Sequence, residues 1–501
     1  MGFEQTTFGE YAKVQGGNAY KSKDFIEKSS NKVLKIKNVR FGTVNYADSG
    51  YISDELAQAT KAWQAKEGDI LISMTGSGPN APQSLVGRVA RVWKNEPAAW
   101  INQRVGRIQL KNKGRIHPDF LFYLLSLPQS QEFLVSNSSG SANQANISGK
   151  IIELLPCPKV SFNQSKYIAD IARSLDEKII LNNQTNQTLE QMAQTLFKSW
   201  FVDFDPVFDN LLASVDFNLE NLETSLPDEL IQKAQRRLVA LNSLKNATEC
   251  KASLIALAHE LQAQLPTKEA TQAAVQILGK TAETPVKANF NANPNILAQH
   301  ANTHAHFTNE FEHSEQLGWI PKGWKQKYLS DLLEVKYGKD HKKLDDGKYP
   351  VYGSGGLMRY AESFLYDGES VLIPRKGTLS NIMHINGSFW TVDTMFYTIP
   401  KVPKVAKFMF YHLKALDFAA MNVGSAVPSM TTKVLNSLEL LFPSVEVLYK
   451  FDRVIEDYFN KIDFNKLNIN QLESLRNTLL PKLISGELQI PDVATDEEIV
   501  D

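Results

Sequence analysis

The run Pro374-Arg375-Lys376-Gly377-Thr378 places two cations beside a flexible glycine, directly after a strand-like segment. These are hydrogen-bond donors on a loop, not nucleophiles or bases. The other constellations that could do chemistry in this chain do less. Gly353-Ser354-Gly355-Gly356 lacks the lysine and the following helix signal of a phosphate loop, so a tight turn between strands is its expected role. His300, His304, His306 and His313 could be read as a metal cluster. They sit in a polar, low-complexity stretch without Cys or Asp ligands nearby, and no metal is expected there. Asn291-Ala292-Asn293-Pro294 and Asp205-Pro206-Val207-Phe208 do not fit the Asn-Pro-Pro-Tyr/Phe or Asp-Pro-Pro-Tyr pattern of amino methylation. Cys157 and Cys250 are too few for a disulfide framework and read as incidental in a reducing cytoplasm.

At 501 residues the chain should hold two to four domains, and its 43% apolar content is enough to fold them. A net charge of −1 gives no global sign of nucleic acid, so any such reading rests on local patches. The N-terminus shows no signal-peptide pattern, and no apolar run approaches the roughly 18 residues a membrane span needs. A soluble, cytoplasmic protein is expected.

The elements that must position the loops come in two sets. Residues 1–160 read as a mixed domain, with strand-like runs at 33–39, 69–74, 86–92 and 104–110 and a helix from Pro118. A long helix is expected over about 164–200, on the order of 55 Å at 1.5 Å per residue. Residues 206–317 form an insert, helical over 222–265 and linker-like over 281–315. The mixed pattern resumes over 318–445, with strands at 370–374 and 396–399 and a helix near 405–416. A second long helix follows over about 448–483, and 489–501 is an acidic tail expected to fray.

The two sets are copies. Shifted by 283 positions, Ile168, Ile171 and Leu175 fall on Phe451, Val454 and Tyr458, and Leu189, Met192 and Leu196 on Leu472, Leu475 and Leu479. Spacings of 3 and 4 give each helix one apolar seam. The mixed domains also correspond: Phe120-Leu121-Phe122-Tyr123-Leu124 resembles Phe408-Met409-Phe410-Tyr411-His412-Leu413, and Gly140-Ser141-Ala142 matches Gly424-Ser425-Ala426. The predicted fold is therefore α+β: two mixed α/β domains separated by two long helices packed as an antiparallel coiled coil, a pseudo-twofold internal repeat. Each helix needs a partner for its stripe, and the economical partner is the other copy. Lys178 and Asn182 interrupt one seam where Lys461 and Asn465 interrupt the other. Either the asparagines are buried and fix register, or the seam slides by one, Ile179 and Ile462 turn inward and the asparagines are solvated.

At this point the chain strongly resembles the specificity subunit of type I restriction-modification systems over nearly its whole length. The resemblance is carried by the repeat and by local strings. One runs from Gln187-Thr188-Leu189-Glu190-Gln191-Met192-Ala193 through Phe197-Lys198-Ser199-Trp200-Phe201-Val202-Asp203-Phe204-Asp205-Pro206-Val207. Others are Leu317-Gly318-Trp319-Ile320-Pro321-Lys322-Gly323-Trp324, Tyr349-Pro350-Val351-Tyr352-Gly353-Ser354-Gly355-Gly356 and Leu480-Pro481-Lys482-Leu483-Ile484-Ser485-Gly486-Glu487-Leu488. It implies that 1–160 and 318–445 are target-recognition domains, each reading one half of a split, asymmetric DNA site, and that 161–205 and 446–488 are spacer helices that set the gap. The insert at 206–317 is longer than the resemblance leads one to expect.

The resemblance also implies partners: double-stranded DNA, two adenine-methylating modification subunits and, through them, restriction subunits, with no membrane. The chain itself would bind no cofactor and perform no catalysis, while its partners would use S-adenosylmethionine, ATP and Mg. Arg suits guanine and Asn or Gln suits adenine, because each makes a two-pronged match in the major groove, whereas Lys mostly neutralises phosphate. The DNA-binding candidates are then Lys21, Lys23, Arg40, Ser77, Arg88, Asn102, Gln103 and Arg104 in the first domain. In the second they are Lys336, Lys339, Lys342, Lys343, Ser354, Arg359, Arg375, Lys376 and Thr378. Each could instead be a solvated surface residue. Leu196, Trp200 and Phe201, with Leu483 and Ile484, are expected either to pack the helices or to dock the modification subunits. Two rival readings stand beside this one: a single-chain methyltransferase or nuclease with its own recognition domains, and a coiled-coil scaffold without DNA binding.

Overall fold

A computed structural model describes residues 2–78, 85–141, 144–222, 226–244, 246–263, 302–418 and 430–490. Ala142, Gly424-Ser425-Ala426, His300, most of the 281–315 linker and the 493–501 tail lie outside the described residues. The chain forms two compact units. The first joins Met1–Gln184 to Phe464–Asp501, and the second is Thr185–Asp463.

In the first unit, an antiparallel sheet runs in the order Ala12–Gly16, Val105–Leu110, Ile70–Ser73, Val89–Arg91. A second sheet holds Gly50–Tyr51, Lys32–Leu34, Ala99–Ile101 and Gln64–Ala65. The strand expected over 33–39 stops at Leu34, because the Asn38 side chain accepts from the Lys35 amide and bends the chain into a short 3-10 turn. Helix Pro118–Ser126 starts at a proline, where the missing N–H costs nothing, and buries Phe120 through Leu125 against the first sheet.

The second unit repeats this plan. Leu333–Tyr337, Met395–Pro400, Tyr366–Pro374 and Met383–Thr391 are ordered as their counterparts are, and the hairpin Tyr349–Gly353 and Gly356–Ala361 extends the same sheet to six strands. Helix Val405–Ala415 stands where Pro118–Ser126 stands. The correspondence reaches single hydrogen bonds: Phe8 donates its amide to Leu155 as Leu329 does to Leu438, both at 2.8 Å. An ion cluster under this helix is kept with its charges reversed. Asp119 pairs with Arg91 at 2.7 Å and with Arg173 of the long helix at 3.0 Å. In the second unit Lys407 pairs with Glu369 at 2.8 Å and with Glu456 of the other long helix at 2.6 Å.

The long helices span Phe162–Phe201 and Val445–Ser485. Ser161 and Ser444, again 283 apart, cap their first turns by accepting from the amides of Gln164 and Val447. The helices pack antiparallel. In the first unit Asp176 meets Arg476, and the Asn182 amide donates to Asn468 Oδ1 at 3.0 Å. In the second, the rings of Phe197, Trp200 and Phe201 pack on Phe451. Asn182 and Asn465 are buried, at 7% and 2% exposure, while Lys178 and Lys461 face outward. Of the two alternatives, the asparagines lie in the seam, and Ile179 is buried with them. Towards the C-terminus of each helix the seam runs one residue from its expected line: Ala193 is inside, and Met192 and Leu475 are exposed.

The helices also settle where their large side chains sit. Trp200 (5% exposed) and Phe201 belong to the core of the second unit, with Leu196 packed against it, and Leu483 and Ile484 belong to the core of the first. Trp200, Phe201, Leu483 and Ile484 are corrected from docking residues to interior ones, because a side chain packed on all sides offers a partner nothing, whereas Leu196 is half-buried.

The described part of the insert builds its own small core. The first long helix ends at Phe201, and a helix not expected from sequence begins at once, Asp205–Ala213 with its proline in the first turn. It packs with Asp228–Asn242 and Ala247–Ala263. Fully buried Asp209 is clamped by Arg237 through two bonds of 2.7 and 2.8 Å and by His304 at 3.0 Å. His304 is thus a buried structural residue, and the His313 ring meets Trp319 edge to face.

Candidate nucleic-acid interface

One corner of each mixed domain is built on the same set of backbone hydrogen bonds, and the candidate residues gather around it. In the first unit the strand Ala12–Gly16 runs into Gly17, and a side-chain carbon placed there would lie 2.1 Å from the Asn102 carbonyl. In the second, Leu333–Tyr337 runs into Gly338, which meets the Val392 carbonyl at the same 2.1 Å. Only glycine permits either approach. The next residue, Asn18 or Lys339, donates its amide to Ile101 or Thr391 at 3.0 and 2.8 Å. Asn102 donates to Leu34 as Val392 does to Tyr352, at 2.9 and 3.0 Å. Met74 donates to Arg104 as Arg375 does to Thr394, at 2.9 and 2.8 Å. Ile147 donates to Met74 as Met430 does to Arg375, at 3.0 and 2.9 Å. Behind each corner the strand pairing turns parallel, Val33 beside Trp100 and Val351 beside Trp390.

The backbone is the same and the side chains are not. In the second unit the corner brings Lys339, Ser354, Arg375, Lys376 and Thr378 together. A side-chain carbon placed on Gly377, at φ +85°, would lie 2.9 Å from Ser354 Oγ, and Asn381 donates to the Ser354 carbonyl. Arg375 is pre-set: its guanidinium lies 5.3 Å over the Tyr337 ring and donates to the Asp393 carbonyl at 3.3 Å. Lys339, Lys342, Lys343 and Lys376 are exposed, and none has a carboxylate within 4.0 Å among the described residues. Two further candidates are otherwise engaged. Lys336 pairs with Glu334 at 2.6 Å, which raises its pKa. Arg359 donates to the carbonyls of Leu344 and Asp345 and so braces the neighbouring loop.

In the first unit the corner gathers Asn102, Gln103 and Arg104, the last two exposed; Asn102 turns its own side chain back onto the Gln103 amide at 2.8 Å. Ser77 is half-buried on the loop that follows Ile70–Ser73. Lys21, Lys23 and Arg40 are exposed on neighbouring turns. Arg88 is corrected: it is 3% exposed, its guanidinium donates to the carbonyls of Val39 and Ile36, and it holds a loop from inside. What sequence reasoning missed is the frame itself and Tyr337. The matched pairs Gly17/Gly338 and Trp100/Trp390 are its only trace in the sequence.

The sequence profile described as "Type I restriction modification DNA specificity domain" matches residues 2–191 and 321–474. The chain belongs to this family. It is a specificity subunit of the type I restriction-modification kind, a non-catalytic component of that assembly. It is 26% identical over 471 residues to the type I restriction enzyme HindI specificity subunit of Haemophilus influenzae, covering 87% of this chain and 90% of that one. It is 22% identical over 382 residues to the MjaIX specificity subunit of Methanocaldococcus jannaschii, covering 76% and 71%. The crystal structure of the type I restriction-modification S subunit from M. genitalium aligns over 97% of this chain and 96% of that one, with a TM-score of 0.52 at 14% identity, which is a likeness of fold. Among the described residues no three His, Cys, Asp or Glu side chains are grouped to hold a metal ion. No described helix is long and apolar enough to cross a membrane.

Proposed function

We propose that the two mixed domains of this specificity subunit, 1–160 and 318–445, each read one half of a bipartite, asymmetric DNA site, with the helix pair setting the gap between halves. The observation that carries this reading is the duplicated corner: one backbone frame, used twice, bearing different polar side chains and unpaired cations. A backbone frame repeated for stability alone would have no reason to carry a different set of outward polar groups in each copy. Lys21, Lys23, Arg40, Lys339, Lys342, Lys343 and Lys376 are suited to phosphate, and Gln103, Arg104, Arg375 and Thr378 to base edges.

The subunit recruits two adenine-N6 modification subunits and, through them, restriction subunits, in the cytoplasm; S-adenosylmethionine, ATP and Mg serve those partners. Docking then uses outward helix faces. Met192 and Leu475 are equivalent under the 283-residue shift and are 46% and 47% exposed, so one asymmetric chain offers two matched contacts.

Mapping methylated adenines across a genome carrying the complete complex tests the reading. A single bipartite motif with a fixed gap is expected. Methyl transfer by the isolated chain with S-adenosylmethionine would overturn it in favour of a self-contained enzyme. Failure of the complex to bind DNA in a salt-sensitive way would favour a scaffold.

A further inference from the structure

The shared frame allows the two recognition domains to be compared position by position, and their arginines do not fall in the same place. The frame has two limbs. One leaves the central sheet strand, at Met74 in the first domain and Arg375 in the second. The other leads into the return strand, at Arg104 and Thr394. Within each domain a backbone hydrogen bond ties the limbs together, from Met74 to Arg104 and from Arg375 to Thr394. Each domain therefore carries one arginine on the frame, on opposite limbs.

The support beneath differs in step. Tyr337 and Gly16 are equivalent, since Tyr337 pairs with Phe396 where Gly16 pairs with Gly106. The second domain has an aromatic platform under its arginine, braced by the approach of the Tyr337 hydroxyl to Thr432 at 3.4 Å. The first has a glycine under a methionine. Arg104 is exposed on its limb, with no carboxylate within 4.0 Å among the described residues.

We infer that Arg375 and Arg104 are the specificity-determining arginines of their two domains, each reading one guanine, and that Tyr337 is a positioning residue for Arg375. Moving the arginine from one limb to the other sets that guanine at a different place in each half-site, which makes the target asymmetric although the frame is duplicated. An arginine in this role presents two parallel donors to O6 and N7 of guanine, and a planar stack on tyrosine fixes the plane of that fork. This rests on the proposed half-site reading.

The test is methylome mapping with the complete complex carrying Arg375→Met, Arg375→Lys, Tyr337→Leu or Arg104→Thr. Met and Thr are the residues the opposite domain places at the equivalent position. Arg375→Met should relax one guanine in one half-site, with discrimination there falling about tenfold or more. Tyr337→Leu should relax the same guanine and no other base, which a purely structural role would not do. Arg104→Thr should relax one guanine in the other half-site. Arg375→Lys keeps the charge and loses the fork, so it too should relax that base. An unchanged motif with Arg375→Met, or uniformly weaker methylation with no relaxed base, would make Arg375 a phosphate contact or a brace and sink the inference. An unchanged motif with Arg375→Lys or Tyr337→Leu, or a base relaxed in the same half by Arg375 and Arg104, would also overturn it. If the wild-type complex itself gives no bipartite motif, the half-site reading fails instead.

Discussion

Thr391 and Ile101 occupy the same point of the two frames, and only isoleucine suits it. Thr391 is fully buried and its Oγ1 has no hydrogen-bond partner among the described residues, a group desolvated without compensation. Thr391→Val keeps the shape and removes the orphan, so the second unit should gain about 1 kcal/mol, read as a higher unfolding midpoint; a loss would mean the hydroxyl is satisfied in solution. His412 is a second departure between copies, since the matching residue of the first domain is Leu124. Its ring packs against Phe197 and Phe408, and burial pushes its pKa down to about 4. Below its unfolded value near 6.5 the unfolded chain binds the proton and the folded one does not. Stability of the second unit should therefore be full above pH 6.5 and fall as pH drops from 6.5 towards 4. His412→Leu should flatten that slope in denaturant titrations at pH 7 and pH 5; an unchanged slope would place its origin elsewhere.

Much of the element scale was legible in the sequence, because a 3-and-4 spacing of apolar residues has few alternatives to a helix seam. The limits of the two helices followed from it to within three residues. The face of the seam did not. Met192 and Ala193 are both apolar, and nothing in their order says which turns inward. Nor does residue type separate a surface arginine from Arg88, or a docking tryptophan from Trp200, because an amphipathic side chain serves either environment. The frame was hidden for a deeper reason: it is made of backbone bonds, which leave little in the sequence beyond glycines where Cβ would collide and the matched Trp100 and Trp390 behind them. The buried asparagines of the seam carry the prediction at this scale. Such a residue costs stability and specifies register. Asn182→Leu with Asn465→Leu should raise the melting temperature, since half-buried Asn468 can turn to water, and should loosen register. In the complete complex, loosened register should appear as methylation at sites with more than one gap length. No change in either measurement would mean the asparagines neither cost stability nor hold register.

For the whole molecule, the order of the chain and the order of its compact units disagree. The first unit, which holds the N-terminal domain, is completed by the last stretch of the chain, whereas the second unit is continuous from Thr185 to Asp463. Leu480, Leu483 and Ile484 lie in one core with Phe120, Tyr123, Ile168 and Ala172. Arg476 neutralises buried Asp176, and the Phe3 amide donates to the Ser485 carbonyl at 3.2 Å. Removing three buried aliphatic side chains forfeits roughly 5–9 kcal/mol, at about 1.5–3 each. That is comparable with the 5–15 kcal/mol that holds a typical domain folded. Asp176 keeps the Tyr123 hydroxyl as a donor but loses its cation, which adds to the loss. A chain ending at Asp463 should therefore lose order in residues 2–160, at the opposite end of the sequence, while the second unit keeps its own core. Hydrogen exchange reads both at once: amides of Val105–Leu110 and Pro118–Ser126 should lose protection, and those of Tyr366–Pro374 and Val405–Ala415 should keep it. A chain ending at residue 490 should protect both sets. If the shorter chain protected its N-terminal domain equally well, the last helix would be an accessory to that domain, and the first unit would not need both ends of the chain to fold.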